Sequence, residues 1–140
     1  MEYLMTAERV VQLQANGYFY RQSEGGASAR TRFQGDGPAE MLAYCRCVLP
    51  FLKQYLAREK WGSVYDAIVF HRLCNNLNTV ARRGGSRAEM RAYLRDPDIS
   101  ACVGRVRLAP FPWNKQAVGL CLKLGLEPLA LKGVQMAAGR

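Results

Sequence analysis

From residue 38 onward the apolar residues recur every three or four positions, and this periodicity commits most of the chain to packed helices. Met41, Leu42, Tyr44, Cys45, Val48, Leu49, Leu52, Tyr55 and Leu56 follow it first. Pro38 stands where a first helical turn tolerates proline. Pro50 falls inside the run and predicts a kink or split near Cys47, because proline lacks the N–H that an interior position must donate. Trp61-Gly62-Ser63 reads as a break and a cap, opening a long helix over 63–83 with Val64, Ala67, Ile68, Leu73, Leu77 and Val80 turned inward. Gly84-Gly85 ends that helix. Ser86, with Glu89 three residues on, predicts a capping box and a short helix over 86–94. Asp96-Pro97 stops it, and residues 98–106 suit a further short helix. Pro110 and Pro112 punctuate the connection to residues 115–138, which close the chain as one or two helices interrupted near Gly125 and Pro128.

The first 32 residues read differently. Residues 2–8 suit a short helix end, and then the period changes to two: Val11 and Leu13 alternate with Gln12 and Gln14. Asn16-Gly17 follows, then Tyr18-Phe19-Tyr20. Asn-Gly between β-prone runs signals a hairpin, because a type I′ turn needs positive φ at both central residues. The expected strands are 9–15 and 18–22. Two strands alone are marginally stable in water, so this pair reads as the edge of a sheet that continues elsewhere, the tail end of a larger α/β unit. The expected fold class is mainly α, an N-terminal β-hairpin followed by a bundle of about four to six helices. Residues 1–32 belong to the α/β unit, and 33–140 form a helical extension.

Composition supports a folded chain. Its 140 residues match one ordinary domain, and 49% apolar with 22% charged residues excludes wholesale disorder. The net charge is +9, unevenly spread: residues 1–71 hold eight basic and seven acidic side chains, residues 72–140 twelve and four. The second half is therefore where an anion would be drawn. Five cysteines and a single histidine exclude a histidine-rich metal site and argue against a disulfide framework. With no signal-peptide pattern behind Met1, they read as reduced thiols in the cytoplasm. The weakly charged stretch 116–138 still carries Lys123, Glu127 and Lys132, too polar for a membrane span.

Three constellations invite chemistry. Arg82, Arg83, Arg87, Arg91 and Arg95 form a basic stripe around Gly84-Gly85, and the last three share one helical face at four-residue spacing. It reads either as an anion or membrane contact, meeting lipid headgroups or nucleic acid phosphates, or as a solvated face. Cys45 and Cys47, with His71 and Cys74, have the composition of a zinc site. Two residues apart on a helix, however, the first pair points about 200° apart, so buried thiols are the expected reading and no metal is assigned. Residues 114–138 could lie at a membrane interface, but Lys115, Lys123 and Lys132 do not gather on one face, which favours burial against protein.

The run Ala7-Glu8-Arg9-Val10-Val11-Gln12-Leu13-Gln14-Ala15-Asn16-Gly17-Tyr18-Phe19-Tyr20-Arg21-Gln22, followed by Ser28, resembles the end of the catalytic domain of bacterial family 2 glycosyltransferases. There a helix and short strand lead to a Tyr-aromatic-Tyr-Arg strand and a serine-containing loop. Tyr93-Leu94-Arg95-Asp96-Pro97 and the Lys-Leu-rich residues 115–132 resemble the helical C-terminal extension of the same enzymes. The resemblance implies that the chain is a C-terminal fragment of an enzyme of GT-A fold, which transfers a sugar from a nucleotide sugar to an acceptor hydroxyl. It implies that Tyr20, Arg21 and Ser28 lie beside the substrate cleft, where an arginine fork suits diphosphate oxygens; the plain alternative is hairpin packing with a solvated Arg21. The family's Asp-x-Asp motif, which holds a divalent metal (Mg or Mn), has no counterpart here, since Asp96-Pro97-Asp98 sits in a helix break. The Glu-Asp pair of the general base is also missing, since Tyr3 follows Glu2. The chain alone is therefore expected to be catalytically incomplete and without cofactor, no catalytic residue being assigned. Its implied partners are the missing catalytic domain or a homologous subunit, the nucleotide sugar in the intact enzyme, and an anionic membrane surface, the chain lying peripherally at the inner membrane face. The alternative is a freestanding basic helical module binding nucleic acid or a protein partner, although no helix-turn-helix, zinc-finger or RNA-binding motif is present.

Overall fold

The computed structural model describes residues 37–138, which form seven α-helices and, among the described residues, no strand. They are α1 (Pro38–Arg46), α2 (Leu49–Tyr55), α3 (Arg58–Arg82), α4 (Arg87–Arg95), α5 (Pro97–Arg105), α6 (Trp113–Lys123) and α7 (Glu127–Ala138). The mainly α expectation holds. The hairpin expected at 9–22, and with it Tyr20, Arg21 and Ser28, lies outside the described residues.

The core is organised around α3, against which each of the other six helices packs. Val69, Phe70, Leu73, Cys74, Leu77 and Val80 are its buried apolar residues, recurring at helical spacing. Met41, Leu42 and Cys45 of α1, Met90 and Tyr93 of α4, Ile99, Cys102 and Val103 of α5, and Leu131 and Val134 of α7 complete the same cluster. Two details of the sequence reading change. The long helix does not begin at Ser63: it starts at Arg58 and runs through Trp61-Gly62-Ser63. The Ser63 hydroxyl donates to the Lys60 carbonyl at 2.9 Å instead of capping a new helix, the internal option open to a helical serine. The inward face is also rotated from the expected one, since Val64 is exposed while Val69 and Phe70 are fully buried.

Seven helices exceed the expected four to six because proline and glycine divide two of them outright. Pro50 occupies the first turn of α2, and the chain turns at Cys47 and Val48. At the other end α6 closes in a Schellman motif: Leu126 donates its N–H to the Cys121 carbonyl at 2.8 Å and Gly125 to Leu122 at 3.1 Å. Gly125 has φ +71°, so the chain reverses there into α7. The end of α3 repeats this arrangement, with Gly85 donating to Val80 at 2.8 Å and Gly84 to Ala81 at 3.1 Å. Gly84 has φ +73°, and a Cβ there would meet open space, so substitution is opposed by backbone strain alone. Gly84→Ala is expected to cost about 1 kcal/mol, measured by urea unfolding; an unchanged midpoint would refute it.

Local caps fix the remaining boundaries. The Ser86 hydroxyl accepts from the Glu89 N–H at 3.1 Å, the serine half of the expected capping box, while the Glu89 carboxylate pairs with Arg83. Asp96 accepts from the N–H groups of Asp98 and Ile99 at 3.0 and 3.2 Å, satisfying donors that a helix start leaves free. At the far end of α5, the Lys123 ammonium donates to the carbonyls of Gly104 and Val106 at 2.9 and 2.7 Å. That bond ties α6 to a helix C-terminus, where positive charge is favoured. Among the described residues, no helix is long and apolar enough to cross a membrane.

Candidate anion-binding grooves

The arginine stripe is distributed among several tasks. Arg83 pairs with Glu89. Arg87 donates to the Gln135 side chain at 3.2 Å and Arg91 to Glu127 at 2.5 Å, so both clip α4 onto α7. Arg95 is exposed on α4. Arg82 instead points into a groove that the sequence reading did not foresee.

That groove, of about 620 Å³, lies between α3, α6 and α7. Each helix contributes one cation: Arg82, Lys115 and Lys132. Among the described residues, no aspartate or glutamate lines it. Its other lining is largely apolar and includes Trp113, Leu129 and Met136, with exposures of 81%, 57% and 59%. The lysines of residues 115–138 do not share a face of one continuous helix, but the reversal at Gly125 folds α7 back beside α6. Lys115 and Lys132 thereby meet at one groove, while Lys123 serves the carbonyls of α5.

A second groove, of about 600 Å³, lies along the preceding turns of α3. It is bounded by Tyr44, Ser63, His71, Arg72, Arg107 and Phe111. The Arg72 guanidinium lies over the Tyr44 ring, 4.7 Å from its centroid, a cation–π contact that orients it. Asn75 borders both grooves. Its side-chain oxygen accepts from Lys115 at 3.0 Å, and the Lys115 ammonium is 3.2 Å from His71 Nδ1. The lysine thus bridges the grooves through two partners that carry no negative charge.

Partial burial, then the nearby charges of Lys115 and Arg72, hold His71 below its ordinary value of 6.5. A neutral ring with its proton on Nε2 leaves Nδ1 free to accept from Lys115. The folded chain therefore binds fewer protons at this ring than the unfolded chain, so the stability contribution is complete above 6.5 and is lost as pH falls toward the native titration point. NMR titration should give a His71 midpoint below 6.5. Lys115→Met should raise that midpoint without restoring the full value, since burial is the leading cause. A midpoint at or above the ordinary value would refute the assignment.

The thiols are separated. Cys45, Cys74 and Cys102 are buried, Cys47 is exposed and Cys121 is half-buried on the first groove. Burial pushes Cys74 up to about 12, and burial with the neighbouring Asp66 carboxylate does the same to Cys102. Thiols so far from ionisation make poor nucleophiles. Among the described residues, no three His, Cys, Asp or Glu side chains gather as a metal-binding group. No family model, no curated protein and no solved structure matches the chain.

Proposed function

We propose that the chain is the C-terminal segment of a bacterial family 2 glycosyltransferase, catalytically incomplete alone, which completes and anchors the sugar-transfer site of the intact enzyme. The observation that carries this reading is the sequence Asn16-Gly17-Tyr18-Phe19-Tyr20-Arg21 with Ser28, upstream of a body that is helical over the described residues. The parent reaction is attack by an acceptor hydroxyl on the anomeric carbon of a nucleotide sugar, with a general base to take the hydroxyl proton. A divalent metal at the diphosphate is expected in the intact enzyme, where the catalytic domain's Asp-x-Asp motif would hold it.

The helical body has a surface suited to that catalytic partner. Of its eight exposed large apolar side chains, six lie on or between α6 and α7. Leu120, Leu124 and Leu126 among them flank the α6–α7 turn outside the cationic groove, an apolar patch of the kind that marks a protein contact. Co-expressing the chain with a family 2 catalytic half that lacks its own extension tests the proposal. Association and a gain in donor-sugar hydrolysis are expected, and Leu124→Asp with Leu126→Asp should abolish both. No association and no gain would count against the reading. The freestanding basic module is the second reading, favoured by the cationic groove between α3, α6 and α7, which no carboxylate of the described residues lines. Oligonucleotide binding that weakens steeply with salt, together with no association with the catalytic half, would put it first.

A further inference from the structure

We propose that the groove between α3, α6 and α7 is a binding site for a monomeric anionic amphiphile, an alkyl or acyl chain ending in a phosphate or carboxylate. This goes beyond the glycosyltransferase reading and does not depend on it, because every residue involved belongs to the helical body. Charge complementarity selects the head of the ligand. Arg82, Lys115 and Lys132 come from three helices to line a groove that no carboxylate of the described residues lines. Lys115, held between His71 and Asn75, is positioned without being neutralised. Arg82 and Lys132 are exposed.

The walls select the tail. Trp113, Leu129 and Met136 present apolar surface to water at 81%, 57% and 59% exposure, beside the half-buried Val118 and the buried Ala130. An alkyl chain covering them gains roughly 0.8 kcal/mol for each methylene taken from water. A volume of about 620 Å³ is that of a small-molecule site. Asn78 and Asn114 on the same lining add polar side chains for the head. A cationic amphiphile would be repelled, and inorganic phosphate would leave the apolar walls uncovered.

The full 140-residue chain can be titrated calorimetrically with decyl phosphate below its micelle concentration. Cys121, on the groove wall, supplies a second readout in a Cys47→Ser background: bound ligand should slow its alkylation by N-ethylmaleimide. Saturable one-to-one binding and protection of Cys121 are expected. Decyltrimethylammonium and inorganic phosphate should each bind at least about 30-fold more weakly. The double variant Arg82→Glu, Lys132→Glu should lose about the same factor. A control of equal net charge placed elsewhere, Lys60→Glu with Arg95→Glu, should stay within about twofold. The proposal is overturned by equal binding of the cationic amphiphile, by an equal loss in the control, or by an unprotected Cys121. Association with phosphatidylglycerol vesicles but not with monomeric decyl phosphate would overturn it too, pointing to a membrane surface. So would a filled groove, shown by absent binding with Cys121 already protected, whether a second copy or another segment of the chain fills it.

Discussion

Phe70→Ala should lower the unfolding free energy by about 3–5 kcal/mol, the usual result of emptying a fully buried aromatic position, which would be a large share of an ordinary domain's stability. Phe70 has no exposed surface and meets the edge of Phe111 with ring centroids 5.0 Å apart. It also sets how closely α6 can approach. A Cβ at Gly119 would lie 2.8 Å from Phe70 Cζ and 2.4 Å from Leu108 Cδ2, so glycine is what lets that helix sit on the ring. Gly119→Ala in the intact core should therefore cost about 1–3 kcal/mol by overpacking. In the Phe70→Ala background part of that cost should vanish, because the missing ring removes one of the two close contacts and leaves space into which the Leu108 side chain can shift. Urea unfolding of the two single variants and the double variant closes the cycle; strict additivity would show that the two positions do not share one packing constraint.

The next largest effect is expected at Arg105. Its guanidinium donates to both carboxylate oxygens of Asp66, at 2.9 and 2.8 Å. The Asp66 side chain is 7% exposed and that of Arg105 60%. This asymmetry makes the two halves of the pair unequal. Arg105→Ala strands a buried carboxylate, and should cost about 2 kcal/mol, below the full range for breaking a buried pair because water can reach the vacated side. Asp66→Ala returns an exposed guanidinium to solvent and should cost about half as much. Thermal and urea unfolding of both variants decide the order; a larger loss for Asp66→Ala would mean that packing around residue 66, not charge, holds the α3–α5 contact.

These two positions also show where sequence reading stops. The boundaries at Pro50, Gly84-Gly85, Ser86 and Asp96-Pro97 were all legible, because each depends on a missing donor, a permitted φ or a cap bonded within three residues. The expected break at Trp61-Gly62-Ser63 was wrong for the same class of reason in reverse. Glycine and serine there weaken a helix by amounts near 1 kcal/mol, and packing of the long α3 against six neighbours outweighs that. The rotation of its buried face toward Val69 and Phe70 likewise reflects what those neighbours present. Of the cations around the first groove, only Arg82 belongs to the arginine stripe that the sequence marks as an anion contact; Lys115 and Lys132 are scattered along one segment of the sequence.

The helical periodicity, the places where helices stop and the concentration of positive charge after residue 71 could all be read from the order of residues, since each rests on neighbours a few positions apart. The pairings Arg91–Glu127, Arg105–Asp66 and Lys115–Asn75 join residues 36, 39 and 40 positions apart. They exist because the helices fold back on α3, and nothing local to either partner announces them. The meeting of Arg82, Lys115 and Lys132 at one groove arises in the same way: side chains are sorted by which helix faces meet, and that sorting is a property of the packed chain.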